Sequence, residues 1–187
     1  MKAQGIEVSV LVNNAGQGVY GLFKDTELQR ELDIIQLNVA SVVALTKLFV
    51  QDMLMRGEGK ILNTSSVASQ APGPYQSVYH GTKAFVQSFT EALRNELKDE
   101  GIVVTALLPG ATDTDFFNKA DMNESKILDT GLADPAKVAK DGYDALMSND
   151  DKVISGLKNK VQVTTSTVLP DPAKAAMMRK QQEPAEK

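Results

Sequence analysis

The chain has 187 residues, 42% of them hydrophobic, enough to bury a core without covalent staples. It has no cysteine and a single histidine, His80, which excludes disulfides, thiolate metal sites and histidine metal clusters. A net charge of -4 and a pI near 5.1 argue against a nucleic-acid or anionic-membrane partner. No uninterrupted apolar run is of membrane-spanning length and the first residues form no signal-peptide core, so a soluble cytoplasmic protein without a membrane partner is expected.

Val8 to Val12 reads as a first strand, apolar nearly throughout, as befits a strand covered on both faces. Asn13-Asn14-Ala15-Gly16 follows, which suits either a ligand-facing loop at the strand's carboxyl end or an ordinary turn. Thr26 to Met55 has helical periodicity, with Leu28, Leu32, Ile35, Val39, Val42 and Val43 along the stripe. Thr26 is the expected N-cap, with Gln29 in capping-box position, and Gly57 and Gly59 mark the end. Asn38 lies inside this helix, where asparagine is unfavourable; it either has a task or is an exposed, locally bonded amide. Lys60 to Ser65 is the next strand, ended by Ser66, and Val67 to Pro74 is a loop. A second helix is predicted from Tyr79 to Gly101, with Phe85, Phe89, Leu93 and Leu97 on its apolar face. Ile102 to Leu108 is a third strand, turned by Pro109-Gly110, with Thr112 and Thr114 just beyond; Thr114 also suits an N-cap. Residues 116–130 carry no clean pattern. Asp134-Pro135 opens a helix to about Met147, and a last strand follows near Lys152. The alternation predicts an α/β parallel sheet with strands at 8–13, 60–65, 102–108 and 152–155. The domain is expected to span 1–157, leaving a polar, mobile tail at 158–187.

The chemistry concentrates at Ser66, Tyr79 and Lys83. Residues four apart share a helix face, so Lys83 is expected beside the Tyr79 phenol, favouring the phenolate and lowering a pKa that is ordinarily about 10. Ser66, thirteen residues upstream, is placed to hydrogen-bond a substrate oxygen. Tyr75 has no lysine at i+4 and reads as a loop or pocket-lining aromatic; His80 is off the Tyr79–Lys83 face and is expected to point elsewhere. Tyr-x-x-x-Lys alone arises by chance in many helices. The order strand, Ser-Ser, Pro/Gly loop, Tyr-x-x-x-Lys, amphipathic helix is far more specific.

In that order the chain resembles the short-chain dehydrogenase/reductase family. The resemblance implies a Rossmann-like, doubly wound parallel sheet and an NAD(P)-dependent oxidoreductase interconverting an alcohol and a carbonyl. It implies that Ser66 positions the substrate oxygen, Tyr79 transfers the proton and Lys83 lowers the tyrosine pKa and holds the nicotinamide ribose. It makes Asn38 the residue that kinks its helix and holds a relay water. It assigns Asn13, Ala15 and Gly16 to the adenosine side of the dinucleotide. Pro109, Gly110, Thr112 and Thr114 match the family's Pro-Gly-x-x-x-Thr motif, which holds the nicotinamide carboxamide. A homodimer or homotetramer through the 27–56 and 75–100 helices is implied as well.

One motif of the family is missing. No Gly-x-x-x-Gly-x-Gly loop precedes Asn13, so the sheet is expected to be N-terminally truncated, and the residue choosing NAD or NADP is absent with the loop. Two rival readings stand beside the enzyme: a catalytically silent remnant acting only as an oligomerisation or interaction module, and a binding domain for another nucleotide.

Overall fold

The structure is a computed structural model that describes residues 5–166 and 169–185. Four parallel strands lie in the order β1-β2-β3-β4: β1 (Val10–Asn13), β2 (Gly59–Thr64), β3 (Ile102–Leu108) and β4 (Lys152–Ile154). The Rossmann-like parallel sheet with flanking helices is therefore present. Side chains alternate across a strand, and the two faces of β2 show it. Ile61 packs with Val104, Val50, Met53 and Leu97, whereas Leu62 packs with Leu107, Val138 and Leu146. The first cluster is roofed by α2 (Ser41–Arg56) and α3 (Ser77–Leu97), the second by α5 (Pro135–Met147). α5 starts as predicted: Asp134 Oδ1 accepts from Ala136 N at 2.9 Å, with Pro135 in the first turn.

β1 differs from expectation. Leu11 and Asn13 are buried, but Val10 is 38% and Val12 52% exposed, so only one face is covered. β1 is an edge strand among the described residues, with α2 on one side of it.

The first long helical run is continuous from α1 (Leu28–Ile35) through a π-helical turn at Gln36–Ala40 into α2. Thr26 is not its cap. The N-cap position is Glu27, without a side-chain cap, and the Thr26 hydroxyl instead donates to Glu31 Oε1 at 2.8 Å. Gly57, at φ 69°, ends α2 in the left-handed conformation that glycine adopts at low cost. The run Leu28–Arg56 is also long and apolar enough to cross a membrane by length and composition, a correction to the expectation drawn from uninterrupted runs. Uncharged polar residues such as Asn38, Ser41 and Thr46 interrupt its apolar sequence without making it polar overall. In the structure Val42, Thr46, Val50 and Met53 are buried, and α2 packs on β1 and β2.

The largest departure lies after residue 157. The segment expected as a tail forms α6 (Leu157–Ser166) and α7 (Asp171–Gln182). α7 returns to the domain: Met178 and Gln182 are buried, Lys126 N donates to Glu183 O, and Ala185 N donates to Glu124 O at 2.7 Å. Composition misled here because the anchors are a few backbone and amide contacts rather than an apolar stripe. A signal was present, since Asp171-Pro172 repeats the acid-proline opening of α5.

Candidate active site

The carboxyl ends of β2 and β3 open into a cavity of about 780 Å³. Ligands bind at this end of open parallel sheets. Ser66 leaves β2 in extended conformation. Its Oγ accepts from Ala68 N at 3.1 Å and lies 3.4 Å from Pro109 O. Ser65 and Ser69 are occupied elsewhere, Ser65 Oγ donating to Lys83 O and Ser69 Oγ to Ser66 O.

Tyr79 sits in the first turn of α3 and lines the cavity together with Ser66. The Lys83 Nζ is 5.8 Å from the Tyr79 ring centroid and donates to Thr64 O at 2.8 Å. Phenol, amine and alcohol therefore meet at one mouth, all three lining the cavity. The ring of Phe116, the first residue of α4 (Phe116–Lys119), lies 5.2 Å from that of Tyr79, centroid to centroid, tilted by 52°.

The electrostatics differ from the sequence expectation. Burial pushes the Tyr79 phenol up to about 12, against the opposing pull of the Ser66 hydroxyl. Burial likewise holds the Lys83 ammonium down to about 8. Proximity to a lysine lowers a phenol only when that lysine is charged, and the same apolar surroundings disfavour both charges. At neutral pH the phenol is protonated.

Asn38 is buried in the π-helical turn and is fully engaged. Its Nδ2 donates to Gln17 O at 2.9 Å and Thr82 Oγ1 at 3.0 Å, and its Oδ1 accepts from Gln17 N at 3.0 Å. The amide thus fixes the 16–17 backbone against α3. A Cβ on Gly16 would stand 3.2 Å from Lys83 Nζ and 3.4 Å from Asn38 Oδ1, so this position needs a small residue.

The remaining predicted cofactor residues divide. Gly16, Pro109, Gly110, Thr112 and Thr114 line the cavity, as does Asn14, which sequence reasoning passed over. Ala15 is exposed and outside the lining. Asn13 turns inward: its Nδ2 donates to Thr46 Oγ1 and Asn63 Oδ1, tying β1 to α2 and β2. Gly110 is packed against α6, where a Cβ would come within 2.4 Å of Asn159. Tyr75 does not line the cavity; it stacks on Tyr20 at 5.6 Å under the Arg179 guanidinium. His80 does line it, although its ring is turned away from Lys83 toward Ala71 O and Gln182.

The donor set fits the nicotinamide end of a dinucleotide. Gly16 leaves room beside the Lys83 ammonium, and Thr112 and Thr114 offer hydroxyls at the end of β3.

Comparisons with known proteins bear on the family and the fold. The short chain dehydrogenase family matches residues 1–125. Mouse 17-beta-hydroxysteroid dehydrogenase type 3 is 30% identical over 161 residues, covering 84% of this chain and 52% of its own length. Among solved structures, a Sphingobium yanoikuyae short-chain dehydrogenase in complex with NADPH superposes with a TM-score of 0.74 at 24% identity, covering 87% of this chain and 66% of that one. A Brucella melitensis 3-ketoacyl-(acyl-carrier-protein) reductase complexed with NADH gives 0.70 at 28% identity, covering 80% and 67%. The chain spans about half the length of that mouse relative. Two thirds of the chain is matched by one family, and its fold superposes on short-chain oxidoreductases solved with nicotinamide dinucleotides: the chain belongs to the short chain dehydrogenase family.

Proposed function

We propose that this chain is the catalytic portion of an NAD(P)-dependent oxidoreductase that interconverts a carbonyl and an alcohol. The observation that carries the reading is the convergence of the Ser66 hydroxyl, the Tyr79 phenol and the Lys83 amine on one cavity mouth. A bound nicotinamide supplies or accepts the hydride. The chain's own residues handle the oxygen and its proton. Ser66 Oγ orients the substrate oxygen. Tyr79 Oη, protonated at neutral pH, gives its proton to that oxygen as negative charge develops there, which is the work of a general acid. Lys83 stands close enough to stabilise the phenolate left behind. Asn38 is a positioning residue: it holds the Gly16–Gln17 backbone and the Thr82 hydroxyl in place around the lysine.

The substrate reading follows from the cavity walls. Phe116, Met122, Ile127, Val138 and Met178 favour a carbonyl on an apolar body, in keeping with the steroid and ketoacyl names of the relatives. The test is carbonyl reduction with NADH or NADPH. Tyr79→Phe is expected to lower turnover by about 10²–10⁴-fold while leaving cofactor binding and the melting curve in place. Equal turnover in Tyr79→Phe would refute the assignment.

A second reading has its own support. Leu28, Leu32, Leu48, Met55 and Phe85 are exposed, so the two long helices present apolar surface suited to a second copy of the chain. Oligomerisation without saturable NADH or NADPH binding would favour a silent interaction module over an enzyme.

A further inference from the structure

α4 is a single turn, too short to hold its shape or its place unaided. Its apolar side is seated in the small cluster of Phe117, Ala120 and Met122, but apolar packing is non-directional and does not by itself fix where Phe116 points. Directional contacts do, and they come from one stretch of chain, residues 18–30. At the near end the Phe116 ring lies against Gly18, where an added Cβ would stand 2.8 Å from its Cζ. At the far end Tyr20 N donates to Ala120 O at 2.9 Å. Beside it stands Arg30 of α1, which uses two amines of its guanidinium. Nη1 pairs with Asp121 Oδ2, and Nη2 donates to Lys119 O at 3.3 Å. A planar fork bonded at two points constrains direction as well as distance. Asp121 meets it from a left-handed backbone, φ 57°, a conformation uncommon outside glycine and kept where surrounding contacts demand it. The Phe116 ring so placed is 5.2 Å from that of Tyr79, which also meets the His80 ring edge-on at 6.1 Å.

We propose that Arg30 is a positioning residue for Tyr79. Clamped at its far end by Arg30, α4 holds the Phe116 ring against the Tyr79 ring and limits the swing of the phenol. Arg30 acts through α4 rather than on the ring itself. The helical run that carries Asn38 thereby steadies two sides of the site: the Gly16–Gln17 backbone through Asn38, and Tyr79 through Arg30. The inference rests on the reading of Tyr79 as the acid, but its first test reads ring placement, not turnover.

The experiment is NMR of the full chain with isotope-labelled tyrosine rings, the Tyr79 signal being identified by its loss in Tyr79→Phe. An aromatic ring at this distance shifts its neighbour's resonances, so Phe116→Leu defines the signal of a Tyr79 without that neighbour. Arg30→Met and Asp121→Asn should each move the Tyr79 signal part of the way there. The paired side chains are 39% and 64% exposed, so about 1 M sodium chloride, with a screening length of about 3 Å, should move the wild-type signal the same way and leave that of Arg30→Met in place. Gly18→Ala, which presses on Phe116 from the opposite end without touching the ion pair, should also displace the signal. In the Phe116→Leu background Arg30→Met should add nothing. With NADPH and 2-decalone as the probe, Arg30→Met should lower kcat about three- to tenfold, short of the roughly 100-fold that an ångström of misplacement can cost, with the cofactor KM unchanged. Arg30→Lys, which keeps the charge but not the fork, should recover part of both effects. A Tyr79 signal that keeps its wild-type position in both Arg30→Met and Asp121→Asn, or that moves equally with and without Phe116, overturns the proposal. An unchanged kcat in Arg30→Met where Tyr79→Phe is inactive overturns it too. Unchanged turnover in Tyr79→Phe refutes the catalytic assignment alone and leaves the clamp to be decided by the resonance.

Discussion

The floor and the roof of the cavity are built by opposite means. The floor is the central pair of strands, β2 and β3, whose side chains are nearly all buried between two helical layers. Its strength is apolar area, and the proposed catalytic groups sit at the ends of elements already fixed by that packing. The roof is α7 and the 116–130 segment. It is held by dispersed polar contacts between residues far apart in sequence, such as His80 and Gln182, with the small cluster of Phe117, Ala120 and Met122 beneath. A chain organised this way sets its candidate site on an apolar, closely packed side and closes the cavity with a side held by scattered polar contacts.

Substitutions can break this contrast in order of expected effect. Met53→Ala should cost about 2–5 kcal/mol of global stability, since the side chain is fully buried in the floor cluster. A denaturant melt reads it, and a loss below 1 kcal/mol would mean the floor is not the stability-determining layer.

Lys83→Met should have the opposite sign. Holding an ammonium at a pKa of about 8, against about 10.5 in the unfolded chain, corresponds to about 3 kcal/mol at neutral pH, offset by about 1 kcal/mol for the lost bond to Thr64 O. The variant should be more stable by about 1–3 kcal/mol and less active. The same shift sets a pH signature. Between about 8 and 10.5 the unfolded chain holds the Lys83 proton that the folded chain has lost, so stability rises with pH across that window. Tyr79 opposes it higher up: the folded chain keeps the phenol proton to about 12, so stability falls from about 10 to 12. Melting curves of the wild type against Lys83→Met isolate the first limb, and its persistence in the variant would assign it to another group.

Gly73→Ala should act on the roof alone. A Cβ there would stand 2.1 Å from the His80 ring, so the imidazole must move and release Gln182. Hydrogen exchange should rise across 171–185 and stay unchanged in β2 and β3. Protection lost equally in both would show that roof and floor unfold as one.

How much of this was legible in the sequence follows the same division. Ile61, Leu62, Val104 and Leu107 announce the floor because parallel strands covered on both faces read as continuous apolar runs. Ser66, Tyr79 and Lys83 were readable because their order along the chain matches the order of the elements that carry them. The roof left little trace. Gln182 is one polar residue among many, and no local pattern reveals a partner 102 positions away. The Tyr79 electrostatics escaped for a related reason: spacing predicts a neighbour, but burial decides whether that neighbour stays charged.

The π-helical turn at Gln36–Ala40 has a consequence for how the long helix tolerates change. An α-helix advances about 100° per residue, so a wide turn resets the angular phase between the segments before and after it. The Asn38 amide sits at that phase break. Adding or deleting residues near Leu28 by whole turns leaves its direction intact, whereas removing a single residue between 36 and 40 would swing it out of reach of the Gln17 backbone.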